Sequence, residues 1–117
     1  MIEALTHRYS NDTTISRQVL DSAYATAMRS VYKKYSDDVT VAALFAESLM
    51  DLNPWNLYKK DGTIQPWTPE ILSVLEKCLQ IEPRHAGANH FYIHATEMSQ
   101  HAEKALASAN LLRDLVP

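Results

Sequence analysis

The amino-acid sequence predicts an all-α domain, and three observations lead to this prediction. The 117 residues include two glycines, too few for the glycine-rich turns that commonly join β-strands. The five prolines fall between the periodic segments and not within them. Inside those segments, apolar residues recur every three or four positions, as they do on the buried face of a helix. We therefore expect five to six helices around one core.

The first half of the chain predicts a short helix at about 2–9 and two long helices. In the first long helix, at about 14–34, apolar residues at spacings of three and four define one buried face. The segment 35–38 then offers serine and aspartate residues as N-caps. A second long helix should follow directly, at about 39–50.

Residues 53–67 break the helical pattern and predict an insertion with its own small apolar cluster. Two prolines and the pair Asp61 and Gly62 interrupt the segment. Four of its side chains indicate that the loop packs onto the helices: Trp55, Leu57, Tyr58 and Trp67. The alternative interpretation is that Trp55, Tyr58 and Trp67 stack on a ligand.

The second half of the chain predicts three more helices. The tripeptide Thr-Pro-Glu at 68–70 supplies a cap residue, a proline at the first helical position and a carboxylate near the positive end of the helix dipole. The helix that it starts should run to about residue 81. A short turn at Pro83 precedes two further helices, at about 88–98 and 101–115.

The sequence also contains an internal repeat. Residues 72–83 align with 106–117 at an offset of 34, which indicates a repeated helix. At an offset of 47, residues 25–48 align with 72–95, and the 13 extra positions match the insertion. A helix-turn-helix unit of 34 residues has the period of the tetratricopeptide repeat, or TPR.

The chain resembles TPR proteins at positions that set the packing of such repeats. A large residue is followed four positions later by a small one at Leu44 and Ser48, and again at Phe91 and Ala95. Three segments within roughly 16–117 are similar to a family of uncharacterised bacterial proteins with such repeats: 45–52, 54–57 and 87–95. The resemblance implies antiparallel helix pairs in a right-handed α-α superhelix.

The same resemblance implies a domain organisation and a binding surface. Residues 1–117 would form one TPR-like helical domain from a longer repeat protein, with exposed repeat ends that could self-associate. Six positions correspond to inward-facing residues of such repeats: Ala42, Phe45, Leu49, Asn89, Tyr92 and Thr96. Their mixed chemistry suits an extended peptide, and the alternative is that they pack against other helices of the same chain. We expect a non-enzymatic scaffold or interaction module whose partner is a protein or peptide.

A histidine stripe supports an alternative function. His90, His94 and Glu97 fall on one side of a helix, and two histidines four positions apart with a nearby carboxylate could bind zinc as part of a metal-dependent hydrolase. Phe91 stands where a metalloprotease carries its glutamate base. The competing interpretation is that the imidazoles pack between helices and hydrogen-bond carboxylates such as Glu47.

Composition and charge exclude several classes of protein. A net charge of −3 argues against a nucleic-acid partner. Two glycines 25 positions apart cannot build phosphate loops or a nucleophile elbow, which excludes the common nucleotide, dinucleotide and hydrolase signatures. With the resemblance to an interaction module, we expect neither an enzyme nor a bound cofactor. Cys78 shares a predicted face with Leu75 and Ile81, which indicates a buried residue and not a nucleophile. No apolar run of membrane-spanning length or secretion signal is present, so we expect a cytoplasmic protein without a membrane partner.

Overall fold

A computed structural model describes residues 1–115, which form six α-helices: α1 (Ile2–Thr6), α2 (Arg17–Lys34), α3 (Val39–Leu52), α4 (Thr68–Ile81), α5 (Ala86–Thr96) and α6 (Glu103–Leu115). The predicted all-α fold of five to six helices is therefore confirmed. Helices that follow one another along the chain pack together from α1 to α6, and α3 also contacts α5. Within the described residues, no helix is both long enough and apolar enough to cross a membrane.

The starts of the helices follow from local hydrogen bonds. The Ser16 hydroxyl caps α2, and the Asp38 carboxylate caps α3 by accepting hydrogen bonds from two backbone N–H groups of its first turn. The prediction that Thr68 caps α4 is wrong, because Trp67 occupies the cap position and makes no side-chain cap hydrogen bond. The buried Thr68 hydroxyl instead donates to the Leu57 carbonyl at 2.6 Å and ties the insertion to the start of α4.

The core is centred on α3, which contacts α2, α4 and α5. Its largest fully buried side chains come from three helices: Met28 of α2, Phe45 of α3, and Ile71 and Leu75 of α4. Cys78 is buried beside them, and burial raises the pKa of its thiol, which confirms the prediction of a buried cysteine.

The insertion packs down through most, but not all, of its predicted apolar residues. Leu57 is buried, the Tyr58 hydroxyl donates to the Ala95 carbonyl at 2.6 Å, and Trp67 Nε1 donates to the Asn56 carbonyl at 2.8 Å. The prediction is wrong for Trp55, whose side chain is 90% exposed. Its backbone lies in the left-handed region, with φ of 60°, and the indole stands out from the turn.

Candidate binding cleft

The six residues predicted to line a peptide groove lie in the interior of the chain. Their exposed fractions are all 8% or less, on α3 for Ala42, Phe45 and Leu49 and on α5 for Asn89, Tyr92 and Thr96. The expectation of an open groove at these positions is therefore corrected. The physical reason is that α3 and α5 contact each other and both contact α4, so their facing sides are covered by the same chain.

The polar members of this set have their hydrogen bonds satisfied inside the fold. Asn89 Nδ2 donates to the carbonyls of Pro83 and His85, at 2.9 and 3.0 Å. The Tyr92 hydroxyl donates to the Glu76 carboxylate at 2.9 Å, and burial together with this bond raises the pKa of Tyr92. The Thr96 hydroxyl donates to the Tyr92 carbonyl. These hydrogen bonds stabilise α5 against its neighbours. Tyr92 and Thr96 also border a separate pocket of about 330 Å³.

The other side of α5 borders a cleft of about 590 Å³, which we call the Trp55 cleft. Its walls are the last turns of α3, the turn at 53–58, the side of α5, and the residues just after α5. Most of the exposed lining surface is apolar, and the apolar side chains that line the cleft are Met50, Pro54, Trp55, Leu57, Phe91 and Met98. Its ionisable lining residues are Glu47, Asp51, His90, His94 and Glu97. Trp55 and Met98, exposed by 90% and 71%, are the most solvent-exposed of its large apolar side chains.

The predicted histidine stripe is one wall of this cleft. The rings of His90 and His94 meet edge to face, with centroids 4.8 Å apart, and the Trp55 ring lies edge-on to His94 at 6.3 Å. His94 Nδ1 hydrogen-bonds the Glu97 carboxylate at 3.0 Å, so its carboxylate partner is Glu97 and not the expected Glu47. Among residues 1–115, no three His, Cys, Asp or Glu side chains are placed to hold one metal ion.

The opposite wall carries two carboxylates from α3. Asp51 accepts a hydrogen bond from the Arg8 guanidinium at 2.9 Å, whereas Glu47 has no hydrogen-bond partner among the described residues. Burial raises the pKa of both side chains, and the charge of Asp51 raises the pKa of Glu47 further. The Arg8 guanidinium and the His90 ring act on Glu47 in the opposite direction and lower its pKa by a smaller amount. The cleft therefore contains a carboxylate that accepts no hydrogen bond from the described residues, in partly apolar surroundings.

Sequence reasoning found the histidine side of the cleft but missed the cleft itself. One available signal was the pair Glu47 and Asp51, four positions apart and hence on one side of α3. A second was the offset of 47 residues, which aligns Glu47 with His94. The position of Trp55 had no such signal, because it depends on a turn with a left-handed residue. No protein-family model, curated protein or solved structure gave a significant match to the chain.

Proposed function

We propose that the chain is a non-enzymatic interaction module that binds a peptide segment of a partner protein in the Trp55 cleft. The observation that carries this proposal is an indole that is 90% exposed at the edge of a mainly apolar cleft. An exposed tryptophan leaves a large apolar ring in contact with water and does not contribute to the core. Tryptophan is also enriched among the residues that dominate the binding energy of protein interfaces.

The size of the cleft supports a peptide ligand over a broad protein surface. A volume of about 590 Å³ lies within the range of sites that enclose small ligands or a few side chains. The strained backbone at Trp55 adds to this argument, because residues held in the left-handed region are concentrated at ligand-contacting sites. The proposed binding surface therefore lies on the side of α5 opposite the predicted groove.

The packing of the helices supports a TPR-like array of helix pairs. In stacked helix pairs, each helix contacts the next one and alternate helices also meet, as α3 and α5 do. We also propose that the helices form the TPR-like superhelix that the sequence resembles, in a bacterial and cytoplasmic repeat protein. In such arrays an insertion between helices often lies on the binding side.

Selection from a library of random peptides displayed on phage tests this function. Peptides recovered with the wild-type chain should bind Trp55→Ala about tenfold more weakly or worse, because the variant removes the largest exposed contact. Tyr35→Ala is the matched control, since Tyr35 is also exposed but does not line the cleft. Recovery of no binding peptide, or equal binding to Trp55→Ala, would overturn the proposal.

A metal site centred on His90 and His94, with Glu97, is the second candidate. The observation in its favour is the contact of the two imidazole rings on one cleft wall. Zinc in proteins takes three or four ligands, so this pair would need a further ligand to bind tightly. Calorimetric titration with zinc tests it: stoichiometric binding that both His90→Ala and His94→Ala abolish, and His101→Ala retains, would establish the site. No binding at micromolar zinc would remove it.

A further inference from the structure

The charges of the Trp55 cleft are one-sided. Three carboxylates line it, from Glu47, Asp51 and Glu97, and the described residues that line it include no lysine or arginine. Two of the three already have a partner: Asp51 is bound to the Arg8 guanidinium and Glu97 to the His94 ring. Glu47 is the carboxylate left for a ligand.

We propose that the Trp55 cleft recognises a lysine or arginine side chain of the partner peptide, with Glu47 as its counter-charge and Trp55 as an aromatic contact. This inference rests on the proposed function and names the chemistry of its ligand. Two independent features lead to it, the carboxylate that accepts no hydrogen bond from the described residues and the exposed indole, because a cation is attracted both by an opposite charge and by an aromatic face.

The surroundings of Glu47 explain why a cation would bind there in preference to water. The carboxylate is half-buried, and burial and the nearby charge of Asp51 both disfavour its ionised form, an effect that Arg8 and His90 offset only in part. A cation entering the cleft would offset both effects, and it would do so in a partly desolvated site where the attraction is stronger than in bulk water. The ion pair would then contribute more than one formed on an open surface.

The apolar lining explains why the cation should be an amino-acid side chain and not a free ion. Met50, Leu57 and Phe91 offer surface to a hydrocarbon stem, and lysine and arginine bury such stems while keeping their charged ends in polar surroundings. A bare inorganic cation would leave this apolar surface uncovered.

Synthetic peptide libraries with a fixed central residue test the proposal directly. The central residue is lysine, arginine, acetyl-lysine or norleucine, and the other positions are randomised. We expect the lysine and arginine libraries to bind the wild-type chain about tenfold more tightly than the acetyl-lysine and norleucine libraries, measured by fluorescence anisotropy. Raising the salt concentration should reduce this preference, because the site is not fully buried.

Two variants test whether the preference for a charged central residue depends on the Trp55 cleft. Glu47→Gln should remove most of the preference for a charged centre while keeping the helical circular-dichroism spectrum. Glu103→Gln, a change to an exposed carboxylate that does not line the cleft, should leave the preference intact. Equal binding of all four libraries, or a preference that survives in Glu47→Gln, would overturn the proposed cation site and leave the peptide-binding function standing. No binding by any library would overturn both.

Discussion

The two sides of α5 differ in what their side chains contact. One side, formed by Ala88, Asn89, Tyr92, Ala95 and Thr96, is buried and has its polar groups paired within the fold. The other side carries His90, Phe91 and His94, which line an open cleft. Both sides mix apolar, aromatic and polar residues, so residue chemistry alone does not distinguish the packed side from the open one.

The insertion at 53–67 creates this difference. Its turn at 53–58 forms a wall beside the exposed side of α5, and the Tyr58 hydroxyl fixes the loop to the Ala95 carbonyl at the end of that helix. Without this wall, the cleft would be bounded only by α3, α5 and the residues just after α5. The comparison teaches that a loop between two helices can convert the outer side of a third helix into a concave site.

The largest effect should come from Ala95→Leu, because Ala95 is fully buried and the larger side chain has no room. We expect the free energy of unfolding to fall by about 2–3 kcal/mol, measured by urea denaturation. The matched control is His94→Leu, at the neighbouring position on the cleft side. This variant should change the free energy of unfolding by less than about 0.5 kcal/mol. Equal losses in the two variants would contradict the division of α5 into a packed and an open side.

Asn89→Ala should have the next largest effect. It removes the donors to the Pro83 and His85 carbonyls, which lie at the turn before α5, and we expect a loss of about 1–2 kcal/mol in the free energy of unfolding. His90→Ala changes the adjacent exposed residue and should be nearly neutral in the same urea denaturation. A neutral Asn89→Ala variant would show that these hydrogen bonds do not hold the start of α5.

A comparison of Trp55→Gly with Trp55→Ala should separate stability from binding. Glycine adopts positive φ without the steric cost that alanine has, so the glycine variant should be more stable than the alanine variant by about 1 kcal/mol. Both variants should lose binding to the peptides selected with the wild-type chain. Denaturation midpoints and peptide anisotropy on the same samples measure the two effects. Equal stability of the variants would contradict a strained backbone at this position.

The smallest effect should come from Glu47→Gln. Because the folded state raises the pKa of Glu47, the stability that its protonated form contributes is complete below the unfolded-state pKa and is lost as pH rises through the folded-state pKa. Glutamine resembles the protonated form, so the variant should have a slightly higher melting temperature than the wild type near neutral pH. The difference should vanish at acid pH. A melting temperature that is lower than wild type near neutral pH would indicate that Glu47 has a stabilising partner.

Most of the secondary structure could be predicted from the sequence because its causes are local. The prolines, the Asp38 cap and the apolar periodicity place the long helices to within about two or three residues of their observed ends. The predicted start of α5 is two residues too late. A ring nitrogen of His85 caps the helix, and this histidine was not counted as a cap in the prediction. Histidine is not among the residues usually read as caps.

The candidate site could be predicted only in part. The placement of His90, His94 and Glu97 on one stripe follows from helical spacing and is confirmed, because all three line the cleft. The assignment of Phe45 and Tyr92 to an open groove failed because periodicity identifies a face but not what covers it. The same limit applies to Trp55, because tryptophan is a residue type that often packs in a core, whereas here its side chain lies on the surface.

The sequence by itself determined the all-α class, the order of the long helices and the burial of Cys78, since spacing and capping act over a few residues. Only the tertiary structure decided which side of α5 faces a cleft. That choice depends on contacts between distant parts of the chain, such as the hydrogen bond from Tyr58 to Ala95 across 37 positions. No local pattern specifies such a contact, because its free energy arises only when the insertion, α3 and α5 are packed together.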